Sequence, residues 1–130
     1  MENEKFDVKV VGILFNTATR QVLLGKATGD ENYSFVEGDL TYKEELDDCL
    51  KRITKEKTGY SIHNLGAIYA ENMLKEEDKL KVHFLCETSE GEITPGENVE
   101  ELIWVKPKEI EEKLGQQLPT RLHEYVNSLG

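Results

Sequence analysis

Apolar residues along this chain come in short bursts whose spacing changes from one segment to the next. Val8 to Phe15 reads VKVVGILF, and after the polar stretch Asn16-Thr17-Ala18-Thr19-Arg20 comes Gln21-Val22-Leu23-Leu24. Two β-branched, apolar runs separated by turn residues predict a hairpin. Gly29-Asp30-Glu31-Asn32 is turn material, and Tyr33-Ser34-Phe35-Val36 predicts a short strand ending at Gly38.

The period then becomes helical. Leu46, Cys49, Leu50 and Ile53 fall on one face; acids Glu44, Glu45, Asp47 and Asp48 fill the early turns, and Lys51, Arg52, Lys55 and Lys57 the late ones. Thr41 followed three residues on by Glu44 predicts a capping box, and Gly59 stands where a left-handed C-terminal cap is wanted. Beyond the helix, Leu65–Ala70 and Lys79–Cys86 predict strands connected through Lys75-Glu76-Glu77-Asp78. After a Gly/Pro-marked loop, Gly91 to Asn98, come a strand at Leu102–Val105 and helices near Pro107–Leu114 and Pro119–Leu129. The order of elements predicts an α/β fold, one mixed sheet covered by helices on both faces.

Composition narrows the function. The 130 residues suit one domain, residues 1–130, and 26 acids against 16 bases leave a net charge of −10. Such a surface repels a phosphate backbone, so duplex nucleic acid is not an expected partner. No apolar run approaches the roughly 20 residues of a membrane span, and the acidic MENEKFD start does not resemble a secretory signal. The expectation is a cytoplasmic protein without a membrane partner. Cys49 and Cys86 form no C-x-x-C and read as reduced core residues; His63, His83 and His123 show no metal-ligand spacing.

Gly38, Glu44, Arg52, Glu56 and Gly59 stand in the register G-x5-E-x7-R-x3-E-x2-G. This stretch, residues 38–60, resembles the Nudix box, G-x5-E-x7-R-E-U-x-E-E-x-G-U with U a bulky aliphatic, of the MutT-like Nudix hydrolases. Ile53 and Lys57 stand at its two other acidic positions, so the box is degenerate. The preceding Tyr33–Gly38 resembles the family's W-x-F-P-G-G, with Val36 and Glu37 in place of proline and the first glycine. Val22-Leu23-Leu24-Gly25-Lys26 resembles the family's second strand, and Glu100–Val105 with the helix after it the late strand and helix.

The resemblance implies a Nudix α/β/α sandwich with a mixed sheet. It also implies a box whose glutamates hold Mg²⁺ or Mn²⁺ against a diphosphate so that water can attack a nucleoside diphosphate derivative. Hard cations take oxygen ligands, and one helix can present acids at i, i+3 and i+4 to a common point. Here Glu56 alone remains of those three acids and is the sole box candidate for metal. A unit charge about 4 Å away interacts by about 4 kcal/mol at an effective dielectric near 20, so Lys57 opposes a cation there. Glu37 adds a carboxylate at the position whose backbone carbonyl commonly touches metal in the family, and Glu97, Glu100 and Glu101 are eligible late-loop acids.

Each candidate has a plainer role. Glu44 caps a helix, Arg52 pairs with Asp48 rather than bracing the box glutamates, Glu56 and Lys57 are solvated, Ile53 is core, and Trp104 and Tyr69 are core rather than stacking platforms. Three functions follow for the small-molecule, nucleotide-like diphosphate that the resemblance implies. A silent binding module would recognise it through Gly38, Glu37, Lys57, Lys26 and Arg52 and need no metal. A hydrolase would use Glu56, Arg52 and Glu44 with Mg²⁺ or Mn²⁺ and compensating acids, and a scaffold would show an apolar patch. A homodimer is common in the family.

Overall fold

The computed structural model describes residues 7–73 and 79–130; the predicted Lys75–Asp78 connection lies outside them. Six strands form one mixed sheet: β1 (Asp7–Asn16), β2 (Gln21–Ala27), β3 (Val36–Asp39), β4 (Ser61–Met73), β5 (Lys79–Glu90) and β6 (Val99–Val105). Three helices accompany them, α1 (Leu46–Thr58), α2 (Ile110–Leu114), entered through a 3₁₀ turn at Pro107–Glu109, and α3 (Thr120–Ser128). The strand order is β4-β5-β1-β2-β6, with β3 paired to β1. β1 runs parallel to β5, and the other pairs are antiparallel.

The continuous apolar run in β1 is explained by its burial on both faces. Val10 and Leu14 pack with Cys49, Leu50 and Ile53 of α1, while Val11, Ile13 and Phe15 pack with Ile110, Leu122 and Val126 of α2 and α3. This is the predicted α/β/α sandwich. Among the described residues no helix is long and apolar enough to cross a membrane. Both cysteines are free and buried in the α1-side core, and burial pushes the Cys86 thiol up to about 12.

One divergence creates the site. β1 and β2 pair only near their turn, at Phe15–Val22 and Asn16–Gln21. Farther along, β3 takes β1's edge, Lys9 to Gly12, and β2 reaches across to Ser34 through the Gly25–Ser34 bridge. The segment from Ser34 to Asp39 is thereby wedged between two splayed strands. The strand predicted at Tyr33–Val36 accordingly begins at Val36 instead, because only there does the chain meet β1.

The helix departs from expectation at its start. Thr41 and Glu44 do interact, the Glu44 carboxylate accepting from the Thr41 amide (3.1 Å) and hydroxyl (2.8 Å), but as a turn ahead of the helix. Lys43, at φ 65°, breaks the path between them, and α1 starts after Glu45 without a side-chain cap. Leu46, predicted in the buried stripe, is 38% exposed on that first turn, whereas Thr54 and Thr58 are buried with hydroxyls donating to the carbonyls four residues back. The C-terminus ends as predicted, with Gly59 at φ 83° and its amide donating to Lys55.

Candidate functional site

Arg52 organises the outer end of the box region. Its Nε and Nη2 donate to the two Glu44 oxygens at 2.8 and 3.0 Å, Nη2 reaches the Asp39 carbonyl at 3.0 Å, and Nη1 meets Glu56 at 3.3 Å. The forked guanidinium suits a bidentate carboxylate. Arg52 is a brace tying α1 to the Asp39–Glu44 loop, and the Asp48 pair is not formed. The Arg52 hydrogen bonds, aided by Thr41 and opposed by burial, hold the Glu44 carboxyl down to about 2. Glu44 thus serves the loop, lining a hollow with Lys9, Asp39 and Lys79 apart from the cavity described next. Glu56, with a side chain 61% exposed, gives its carboxylate to Arg52.

The wedge between β1 and β2 opens into a cavity of about 220 Å³. Lys26 from β2, Glu37 from β3, Lys57 from α1 and Glu97 from the late loop all line it. Lys57 is half-buried, and its Nζ donates to the Glu37 carbonyl at 2.5 Å. The Glu37 carboxylate instead faces Lys9 at 3.9 Å. Glu97 owes its place to the late loop's attachment to the end of α1, where the Thr94 and Gly96 amides donate to the Thr58 and Lys57 carbonyls. Of the other eligible acids, Glu100 lies 4.0 Å from Lys26 and Glu101 accepts from the Tyr33 hydroxyl at 2.5 Å; neither lines the cavity. Ile53 is 2% exposed, and a Cβ on Gly38 would come within 2.6 Å of its Cγ2. That contact explains why the box opens on glycine, since helix and strand touch there.

Comparisons with known proteins bear on the family and the fold. The family model described as NUDIX domain matches residues 5–125. The chain is a member of the Nudix family. It resembles in fold a MutT/nudix family protein from Enterococcus faecalis (24% identity, TM-score 0.64), covering 80% of this chain and 45% of that one. A MutT structure from a study of the Aliivibrio salmonicida and Vibrio cholerae proteins gives 16% identity and a TM-score of 0.76, covering 94% and 96%. An ADP-ribose pyrophosphatase from Streptococcus suis gives 16% and 0.78, covering 95% and 92%. No curated protein sequence matches. This Nudix chain spans less than half of the first of these relatives.

The donor set of this Nudix box does not fit the family's divalent cation. Ile53 is buried against Gly38, Glu56 is turned to Arg52, and Lys57 puts an ammonium on the Glu37 carbonyl. Among the described residues no three His, Cys, Asp or Glu side chains are grouped to hold a metal ion. A hard cation needs several oxygens around one point, and here a fixed positive charge stands among them.

One polar residue escaped the sequence reading. His83 is buried on the α3 side of β5, which its place in the alternating run Lys79–Cys86 permits but its residue type does not announce. Burial pushes its imidazole down to about 4, partly offset by the Tyr69 backbone. Acid stability is therefore expected to fall in two stages. Between pH 6.5 and about 4 the unfolded chain binds a proton that folded His83 refuses, costing about 3 kcal/mol. Glu44 then contributes stability that is complete above pH 4.5 and lost as pH falls toward about 2. Denaturant titrations at successive pH values check this, and His83→Phe should remove the first stage alone.

Proposed function

We propose that this Nudix protein binds the diphosphate of a nucleoside diphosphate derivative through Lys57, with metal-dependent hydrolysis weak or lost. The observation that carries the reading is the Lys57 ammonium on the Glu37 carbonyl, at the wall of a cavity that Lys26 also lines. A lysine ammonium is a compact charge with three donors, so one can stay on the carbonyl while others meet phosphate oxygens. It cannot lower the pKa of a bound water as a metal does, which separates binding from turnover. Arg52 and Glu44 hold the box loop in shape rather than touching the ligand. The family membership, and the Streptococcus suis ADP-ribose pyrophosphatase among similar folds, support a diphosphate as the ligand class.

Glu37 and Glu97 favour a second reading, because both line the cavity and would be the compensating acids of an active enzyme. A scaffold is less supported: Tyr42, Leu46, Leu65 and Ile93, the exposed large apolar residues among those described, belong to four different segments. A thermal-shift and phosphate-release panel of nucleoside diphosphate derivatives, with and without Mg²⁺ and Mn²⁺, tests the choice. The expected result is stabilisation without metal and turnover far below a typical 10 s⁻¹ or so. Metal-dependent turnover near that rate would move the function to Glu37 and Glu97.

A further inference from the structure

The turn Gly96-Glu97-Asn98-Val99 ties together the two elements that carry the cations of the Lys57 cavity. The Val99 amide closes it onto the Gly96 carbonyl at 3.1 Å, and Asn98 takes φ 64°, a left-handed conformation that asparagine tolerates better than most residues. One end is fastened to α1, where the Gly96 amide donates to the carbonyl of Lys57 itself at 3.1 Å. The other is fastened to the end of β2, where the Thr28 amide donates to the Asn98 carbonyl at 3.0 Å and Ala27, next to Lys26, pairs with Val99. Glu97, Asn98 and Val99 line the cavity between these attachments.

The demand for glycine at position 96 is steric. Gly59 and Gly91 have left-handed φ values of 83° and 106°, but Gly96 does not, so its own backbone conformation calls for no glycine. A Cβ there would nevertheless overlap the Glu56 carbonyl oxygen and come within 3.2 Å of the Lys57 Cα. Both are backbone atoms in the last turn of α1, which cannot swing aside as the tip of a side chain can. The turn therefore lies directly against the residue that carries the ammonium. Lys26, 4.0 Å from Glu100 and 5.8 Å from the centre of the Tyr33 ring, is steadied on its own wall.

Resting on the diphosphate reading above, we infer that Gly96 is a positioning residue that sets the spacing of Lys57 and Lys26, and that this spacing favours a diphosphate over a single phosphate. Gly96 touches no ligand and acts through Lys57. One phosphate group meets one ammonium, whereas two joined groups can meet both. The second contact adds affinity only while the turn holds the two walls in register, because a preorganised site spends nothing on bringing them together. Opening of the turn forfeits that contact, so a ligand bound to both walls favours the closed turn.

Calorimetry with inorganic pyrophosphate and orthophosphate, chelator present, compares wild type with Gly96→Ala. The wild type should bind pyrophosphate about tenfold or more tighter than orthophosphate, the order of one further charge-assisted contact. Gly96→Ala should remove most of that preference and leave orthophosphate affinity unchanged; a merely structural glycine would lower the unfolding temperature and leave the preference intact. Amide hydrogen exchange on the wild type decides the point even where the variant does not fold. At equal saturation, pyrophosphate should slow exchange at Thr28, Gly96 and Val99 several-fold more than orthophosphate does, with no such difference at the Arg20 amide, which is bonded to the Asn16 carbonyl in the β1–β2 turn. No preference for pyrophosphate in the wild type, an unchanged preference in folded Gly96→Ala, or turn amides that the two anions protect alike, overturns the role of Gly96 and spares the anion site. Failure of the wild type to bind pyrophosphate at all overturns the anion site itself and this inference with it.

Discussion

Replacing Ile53 by glutamate, which restores the family's residue at that box position, should destabilise the protein by several kcal/mol and should not be rescued by Mg²⁺. The side chain is 2% exposed and in contact with Gly38, within the core shared by Val10, Leu50 and Phe84. A carboxyl there either ionises without solvent or stays protonated with a raised pKa, and both cost stability. Lys57 lies one turn away, but its ammonium already serves the Glu37 carbonyl, so pairing with a new carboxylate would undo one contact to make another. Ile53→Ala separates packing from charge: it should cost roughly 2–5 kcal/mol, a large part of the 5–15 kcal/mol or so that holds a domain folded. Urea titrations of the three proteins, with and without Mg²⁺, check both values. An Ile53→Glu variant as stable as wild type in Mg²⁺ would mean that the position faces a metal site.

Much of this is legible in the sequence. The apolar run of β1, the helical stripe of Cys49, Leu50 and Ile53, and the Gly59 cap each need only local pattern, because burial on one face or two leaves a period in the sequence. Leu46 departs from the pattern because it is the first residue of the helix, where the stripe is only beginning to turn into the core. Thr41 and Glu44 form their predicted contact yet do not cap, since backbone conformation at Lys43, not residue spacing, decides whether a turn continues into a helix. In the site, Lys57 and Lys26 were readable as cations but their meeting with Glu37 and Glu97 depends on β3 wedging between β1 and β2, a long-range event. Glu97 could not be separated from Glu100 and Glu101 until the late loop was seen fastened to the end of α1. Arg52 showed two partners at equal sequence plausibility, Asp48 and the box glutamates; only the geometry of a forked donor between Glu44 and the Asp39 carbonyl chose. His83 left no trace, because an alternating strand hides a buried polar residue as readily as an apolar one.

The second large effect concerns Lys57. Truncation to alanine removes a charged donor from the cavity wall and should leave the fold intact, because the side chain is half-buried and, among the described residues, its one hydrogen bond is to the Glu37 carbonyl. Hydrogen bonds to charged groups contribute about 1.5–3 kcal/mol, so ligand affinity should drop about ten- to a hundredfold. The wild-type interaction should also weaken with added salt, as an attraction between an ammonium and a phosphate does. Lys57→Arg should recover it only in part, since a planar guanidinium does not replace a compact ammonium on a single carbonyl.

The measurement that tests the account most directly is calorimetric titration of the protein with ADP-ribose in excess chelator, wild type beside Lys57→Ala. Binding by the wild type without divalent cations, lost or weakened at least tenfold or so in the variant, is the predicted result. Equal affinity in the two proteins, or binding that appears only when Mg²⁺ is restored, would contradict it.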